Sequence, residues 1–246
     1  MQLIPSVDLR AGRCVRLLRG DFAAETRYGV EPLALLRRYC ELGAQWLHVV
    51  DLDGARDGQL ANRSVIAALA AAQGIHLQVG GGVRGTAVLE DLLELGVARV
   101  VIGSAAVEQR AAVAEWLVRF GPERICLAFD VQLDEHARPL LRTHGWRTGT
   151  ALTLWEILEH YQPLGVRHVL CTDIARDGAL QGPNTALYAA AVARYPSLQW
   201  QASGGVASIA DLAALAACGA AAAISGKALL EDRLPAEELQ PYLPGA

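Results

Sequence analysis

The chain has 246 residues, 52% hydrophobic and 20% charged, with a net charge of −4. This is enough apolar material for one barrel-sized domain or two small ones, and it excludes a disordered chain. The acidic balance leaves no basic footprint for nucleic acid, so a phosphorylated ligand must be drawn in by local dipoles and a few cations.

Met1-Gln-Leu-Ile leads straight into a strand, without a charged n-region or a cleavage site. Strands are expected at 2–8, 46–51, 75–79, 100–103, 125–130, 168–172, 198–203 and 222–225. They read as continuous apolar runs, as parallel strands covered on both faces should. Helical spacing falls between them, most clearly at 31–42, 62–72, 86–95, 107–120, 150–161, 184–194 and 208–217. Eight strand–helix units without a linker fit a (β/α)8 barrel, an α/β fold, with a doubly wound open sheet as the competing architecture. The longest apolar stretch, 212–224, is shorter than a membrane span and is broken by Gly219. Cys14, Cys40, Cys126, Cys171 and Cys218 are odd in number and scattered. They read as reduced thiols of a soluble cytoplasmic protein rather than as a disulfide or zinc framework.

The chain also contains itself twice. Gln78-Val79-Gly80-Gly81-Gly82-Val83 returns as Gln201-Ala202-Ser203-Gly204-Gly205-Val206, a shift of 123 (201 − 78). At the same shift Ile102-Gly103-Ser104-Ala105 returns as Ser225-Gly226-Lys227-Ala228. Asp53-Gly-Ala-Arg56-Asp57-Gly58 returns as Asp173-Ile-Ala-Arg176-Asp177-Gly178, shifted by 120 (173 − 53). The expected architecture is therefore a single barrel of two half-barrels, 1–121 and 122–246, meeting near Gly121-Pro122.

Chemistry in such barrels sits at the C-terminal ends of the strands. Gly80, Gly81 and Gly82 follow the third strand and Gly103-Ser104 the fourth; Ser203-Gly204-Gly205 and Ser225-Gly226-Lys227 follow the seventh and eighth. Glycine lets backbone N–H groups approach an anion, and a helix N-terminus adds favourable dipole. Four such loops in paired register predict two phosphate cradles, with Arg84 and Lys227 as their cations, although glycine also serves simply to tighten a turn. Asp8 and Asp130 end corresponding strands and should face each other across the mouth as an acid–base pair. Asp51, Thr172, Asp177 and Gly178 lie at the ends of strands 2 and 6, where binding and turn-capping roles compete. His48 and His168 occupy matching places in the repeat and read as histidines satisfied in the wall. The polar stretch 132–149 reads as a loop, in which Trp146 is either an ordinary packing residue or one that stacks on a planar heterocycle over the site. The loop carrying Arg16, Arg19, Gly20 and Asp21 is long enough to form a lid.

In order along the chain, Ile4-Pro5-Ser6-Val7-Asp8-Leu9, Gly12-Arg13-Cys14-Val15-Arg16-Leu17 and His48-Val49-Val50-Asp51-Leu52-Asp53-Gly54 are followed by Gly80-Gly81-Gly82-Val83-Arg84. Phe129-Asp130-Val131, His144-Gly145-Trp146, Thr172-Asp173-Ile174, Asp177-Gly178 and Ser203-Gly204-Gly205-Val206 complete the series. On these motifs the whole chain resembles the histidine-pathway isomerases that convert a phosphoribosylformimino-aminoimidazole carboxamide ribotide from aminoaldose to aminoketose. The resemblance implies a cofactor-free, metal-free, monomeric barrel enzyme acting on a bisphosphorylated small molecule, with no nucleic-acid or membrane partner. It implies Asp8 as base and Asp130 as acid in an Amadori rearrangement. It also implies ligand contacts from Arg16, Gly20, Asp51, Gly81, Gly82, Arg84, Gly103, Ser104, Trp146, Thr172, Asp177, Gly178, Ser203, Gly204, Gly205, Gly226 and Lys227. Arg19 departs from the glutamine often found there.

Two relatives share this barrel. The sister cyclase typically has Cys where Ser6 stands and lacks the Gly-Trp element. A dual-substrate isomerase, which also takes phosphoribosyl anthranilate, usually has Arg-Gly-Trp where this chain has Thr143-His144-Gly145-Trp146. A metal-dependent hydrolase would need a His/carboxylate cluster that no tight spacing offers. A non-catalytic sugar-phosphate binder has no use for two carboxylates aimed at the ligand's centre.

Overall fold

Eight parallel strands close into a ring in the computed structural model, which describes residues 1–18 and 21–245. They are β1 (Gln2–Arg10), β2 (Trp46–Asp51), β3 (His76–Gly80), β4 (Arg99–Ile102), β5 (Ile125–Leu133), β6 (His168–Asp173), β7 (Gln199–Ser203) and β8 (Ala222–Ser225). Each pairs in parallel with its sequence neighbour, and β8 pairs with β1 to complete the barrel. The intervening chain returns through helices whose apolar faces pack on the outside of the ring, as in Pro32–Glu41, Thr86–Glu94 and Ile209–Ala217. The fold is a (β/α)8 barrel.

β1 and β5 run beyond the ring, and each continues into an antiparallel ribbon. Arg13–Leu18 folds back on β1, with Val15 opposite Asp8, and pairs in turn with Asp21–Arg27. Pro139–Thr143 folds back on β5, with Arg142 opposite Asp130, and pairs with Thr148–Thr153. These ribbons correct two expectations. The stretch 132–149 is not a loop, and the expected helix 150–161 begins only at Leu154. The β-branched threonines at 148, 150 and 153 favour the extended ribbon. Thr153 then caps the helix: its hydroxyl accepts from the Glu156 N–H at 3.2 Å, while the Glu156 carboxylate accepts from the Thr153 N–H at 2.8 Å. The first ribbon replaces the open lid expected after β1; Arg19 and Gly20 lie outside the described residues.

Two separate apolar layers follow from strand alternation. Outward side chains join the helices, whereas Ile4, Val101, Cys126, Leu170, Ala222 and Ile224 fill the inside of the ring. At the level of Gln78 and Gln201 the interior is polar. These two residues, equivalent in the repeat, meet across the barrel, each amide donating to the other at 2.7 and 3.0 Å.

That pair fixes the repeat register more firmly than the sequence motifs do. His48 lies opposite Gln78 on β2, and Leu170 lies opposite Gln201 on β6. The true shift between β2 and β6 is therefore 122 (170 − 48), not 120. Asp51 corresponds to Asp173 rather than Asp53 doing so, and His48 does not match His168. The sequence alignment slid by two residues because the chain after β2 forms a helix, Leu52–Asp57, while the corresponding chain after β6 is a run of turns.

Candidate active site

At the C-terminal mouth of the barrel lies a cavity of about 750 Å³. Inward positions of all eight strands reach it, among them Asp8, His48, Gly80, Val101, Asp130, Thr172, Ser203 and Ile224. Asp8 and Asp130 occupy equivalent places on β1 and β5 (130 − 8 = 122) and line the cavity from opposite sides of the ring.

Their surroundings differ. Arg16, projecting from the first ribbon, donates to Asp8 Oδ2 at 3.0 Å and to Asp177 Oδ1 at 2.5 Å. Burial raises the Asp8 carboxyl, and the Arg16 cation opposes that rise. The two carboxylates in turn keep the Arg16 guanidinium firmly charged. Among the described residues, no cation is paired with Asp130. Burial pushes it up to about 6, against hydrogen bonds from the Trp146 and Thr172 side chains that pull it down, while Asp177 adds to the rise. The site thus holds one carboxylate paired with a guanidinium and one poised near neutrality.

The glycine loops flank this pair. Gly81 and Gly82 have φ of +105° and +79°, and their repeat equivalents Gly204 and Gly205 have +97° and +91°. A Cβ on Gly81 would lie 2.2 Å from the Asp51 carbonyl oxygen, and one on Gly205 would lie 2.3 Å from that of Gly182. Glycine is required here both by conformation and by contact with the preceding loop, so the turn-tightening role is real at these positions. Gly103 is different, because its Cβ would meet open space. Gly81, Gly82, Arg84, Gly103 and Ser104 are the residues expected to form the first cradle, and Gly178, Ser203, Gly204, Gly205, Gly226 and Lys227 the second. All of them line the cavity. Arg84 donates to the backbone carbonyls of Ala55 at 2.8 Å and Arg56 at 3.4 Å. Lys227 Nζ donates to the Gly178 carbonyl at 3.1 Å.

The second ribbon brings its tip over the cavity. His144, Gly145 and Trp146 all take positive φ, at 54°, 61° and 70°. The His144 N–H donates to Ser104 Oγ at 3.0 Å, and the His144 ring pairs with Glu108 at 2.9 Å, docking the tip on the helix Ser104–Glu108.

One site expectation does not stand as written, and another falls on a residue outside the described ones. Asp51 is wholly buried and lies outside the cavity lining. Its carboxylate accepts from the Gly54 N–H at 2.8 Å, the Asn62 N–H at 2.9 Å and Asn62 Nδ2 at 2.6 Å, which consumes it as a helix cap. On the alternating strand it points away from the inward side chains of His48 and Val50. Gly20 lies outside the described residues. The sequence reading also gave Gln78 no role, although it opens the repeated segment and shares its strand face with Gly80. His48 was assigned to the wall, and instead it lines the cavity, whereas His168 sits toward the other end against Arg99 and Glu123.

The family described as histidine biosynthesis protein matches residues 2–235. The chain belongs to that family. A family member from Alteromonas mediterranea is 44% identical over 236 residues, 96% of each chain. One from Shewanella loihica is 44% identical over 244 residues, covering 99% of this chain and all of its own. A third, from Shewanella baltica, is 45% identical over 228 residues, 93% of each. All three are named 1-(5-phosphoribosyl)-5-((5-phosphoribosylamino)methylideneamino)imidazole-4-carboxamide isomerase.

Proposed function

We propose that the chain is the isomerase of histidine biosynthesis that turns this bisphosphorylated aminoaldose into its aminoketose. The observation that carries the reading is the pair of strand-end carboxylates in unlike electrostatic settings, held in one cavity between two matched glycine cradles. A ligand with a phosphate at each end fits that arrangement, because both grips then hold the reacting sugar at the centre.

The reaction needs a proton given to the ribose ring oxygen and a proton taken from C2. Asp130, near 6, carries its proton in a minority of molecules at pH 7, and a doubly anionic ligand entering the mouth raises that fraction. It donates to the ring oxygen as the C1–O bond breaks, which leaves a Schiff base. Asp8, whose ionised form the paired Arg16 guanidinium favours against burial, removes the C2 proton, and the enolamine tautomerises to the ketose. No net oxidant or reductant is consumed. Arg16 and Asp177 orient Asp8, Thr172 orients Asp130, and Trp146 leaves its hydrogen bond to Asp130 to stack on the imidazole carboxamide.

We read the chain as one cofactor-free, metal-free barrel of two halves, 1–121 and 122–246, working as a cytoplasmic monomer without nucleic-acid or membrane partners. The net charge of −4 supports the lack of a nucleic-acid partner, and among the described residues no helix is long and apolar enough to cross a membrane. The test is incubation of the purified protein with the aminoaldose and separately with phosphoribosyl anthranilate, following product by chromatography. Conversion of the first alone is expected. Conversion of both would make it the dual-substrate enzyme, and binding without conversion of either would make it a sugar-phosphate binder.

A further inference from the structure

Beneath the carboxylates, the hydrogen bonds of the polar layer have directions forced by chemistry. Arg99 has only donors, and its NH1 donates to Gln78 Oε1 at 3.0 Å. That contact fixes which end of the Gln78 amide is oxygen. The same oxygen accepts from Gln201 Nε2 at 3.0 Å, so both of its lone pairs are used. Gln78 Nε2 then gives one N–H to Gln201 Oε1 at 2.7 Å and turns the other toward His48 Nδ1, 3.1 Å away. A donor facing Nδ1 requires a bare nitrogen there, so the ring proton belongs on Nε2. His48 lines the cavity with Asp8 and Arg16, and with Nδ1 committed below, Nε2–H is the polar edge left for a ligand.

We infer that Gln78, itself locked by Arg99 and Gln201, is a positioning residue that holds His48 as an Nε2–H hydrogen-bond donor to an oxygen of the reacting sugar. The inference rests on the isomerase reading for its ligand, but not for its tautomer. Burial and the Arg16 charge push His48 down to about 4, so it donates as a neutral ring and does not compete with Asp130 as a proton source. His168 has no such role, because its Nε2 faces Arg99 at 3.2 Å and Glu123 at 3.1 Å, away from the cavity.

The test joins a spectroscopic and a kinetic readout. Long-range ¹H–¹⁵N correlation spectra of histidine-labelled protein report each ring's tautomer directly. For ligand-free protein the Nε2–H pattern is expected at His48, assigned by its disappearance in His48→Phe. Gln78→Glu puts an acceptor opposite Nδ1 and is expected to move the proton there. Should that buried carboxylate prevent folding, Gln78→Met removes the donor and is expected to give a mixture of tautomers. Turnover should fall roughly 100-fold in kcat for His48→Phe and Gln78→Glu, with a smaller change in KM. His48→Gln, whose amide N–H reaches the place of Nε2–H, should keep kcat within about tenfold of wild type. An Nδ1–H pattern in the wild type, or wild-type turnover by His48→Phe, overturns the inference. If the protein fails to isomerise the aminoaldose yet displays the Nε2–H pattern, the proposed function falls and the positioning role of Gln78 stands.

Discussion

Asp8 and Asp130 occupy the same place in two copies of one half-barrel, and their chemistry diverges entirely through their neighbours. In the first half, the ribbon after β1 supplies Arg16, which lies between Asp8 and Asp177. In the second half, the ribbon after β5 brings Trp146 instead; among the described residues the side chains that hydrogen-bond Asp130 are the neutral Trp146 and Thr172, and its carboxyl is raised to about 6. Symmetry of the backbone delivers two carboxylates to one cavity, while asymmetry of the ribbons gives them the unlike settings that the proposed acid and base roles require. An acid and a base cannot be identical, so the difference between the halves matters as much as their likeness.

The severest way to break this comparison is to neutralise each carboxylate in turn. Asp8→Asn and Asp130→Asn are each expected to lower kcat by about 10³-fold or more, read by product chromatography. A near-wild-type rate in either would remove that residue from the mechanism. Next in size is Arg16→Met, expected to cost about 100-fold. Without its cation, Asp8 keeps the burial that raises it and the repulsion from Asp177, so its carboxyl climbs further. The acidic limb of the pH–rate profile should therefore move to higher pH in this variant. An unmoved limb would mean that Arg16 serves binding alone.

Asp130→Asn carries a second, opposite expectation. In the folded protein this carboxyl sits near 6, above its ordinary 3.8, so the fold binds the proton more tightly than the unfolded chain does. That stabilisation is complete below about pH 4 and is lost as pH climbs through 6. An amide loses nothing on that climb. The variant should therefore gain about 3 kcal/mol over wild type at pH 7, and the gain should vanish below about pH 4. Urea unfolding at the two pH values measures it. A gain in stability with a loss of activity would mark Asp130 as a residue retained for chemistry.

Much of this site was legible because its signals are local. The alternation of strands and helices gave the ring, and the doubled glycine segments gave the paired positive-φ turns at the cavity, since that freedom is written in the residue itself. Thr172 was legible only as a strand-end residue with competing roles; the structure puts it on the inward face with Leu170, where it hydrogen-bonds Asp130. What escaped depends on contacts distant in sequence. Nothing near Arg16 announces that it joins Asp8 to Asp177, 161 residues further along. Asp51 looked like a ligand contact because a capping aspartate and a binding aspartate have the same spelling, and only the Asn62 contacts separate them. The matching of His48 with His168 failed for a third reason. A motif of aspartate, arginine and glycine aligned well at a shift of 120, but the strand register across Gln78 and Gln201 demands 122.

The mildest effects are expected from the cradle cations, and they too separate the halves. Arg84 is tied to the carbonyls of Ala55 and Arg56, so its guanidinium helps hold the loop that it borders. Lys227 is the sole lysine of the chain, and its ammonium reaches one carbonyl, that of Gly178, with two N–H groups left for an anion. Lys227→Met should raise KM about tenfold with kcat almost unchanged, the signature of a contact made equally in ground and transition states. Arg84→Met should raise KM less, because part of its donor capacity is spent on the backbone. Having one lysine also makes the occupancy of this cradle directly readable. Trinitrobenzenesulfonate should modify Lys227 and the N-terminus alone, and inorganic phosphate should slow the first reaction but not the second. Equal protection of both amines would mean that the anion acts by bulk screening, and the second cradle would lose its cation as a ligand contact.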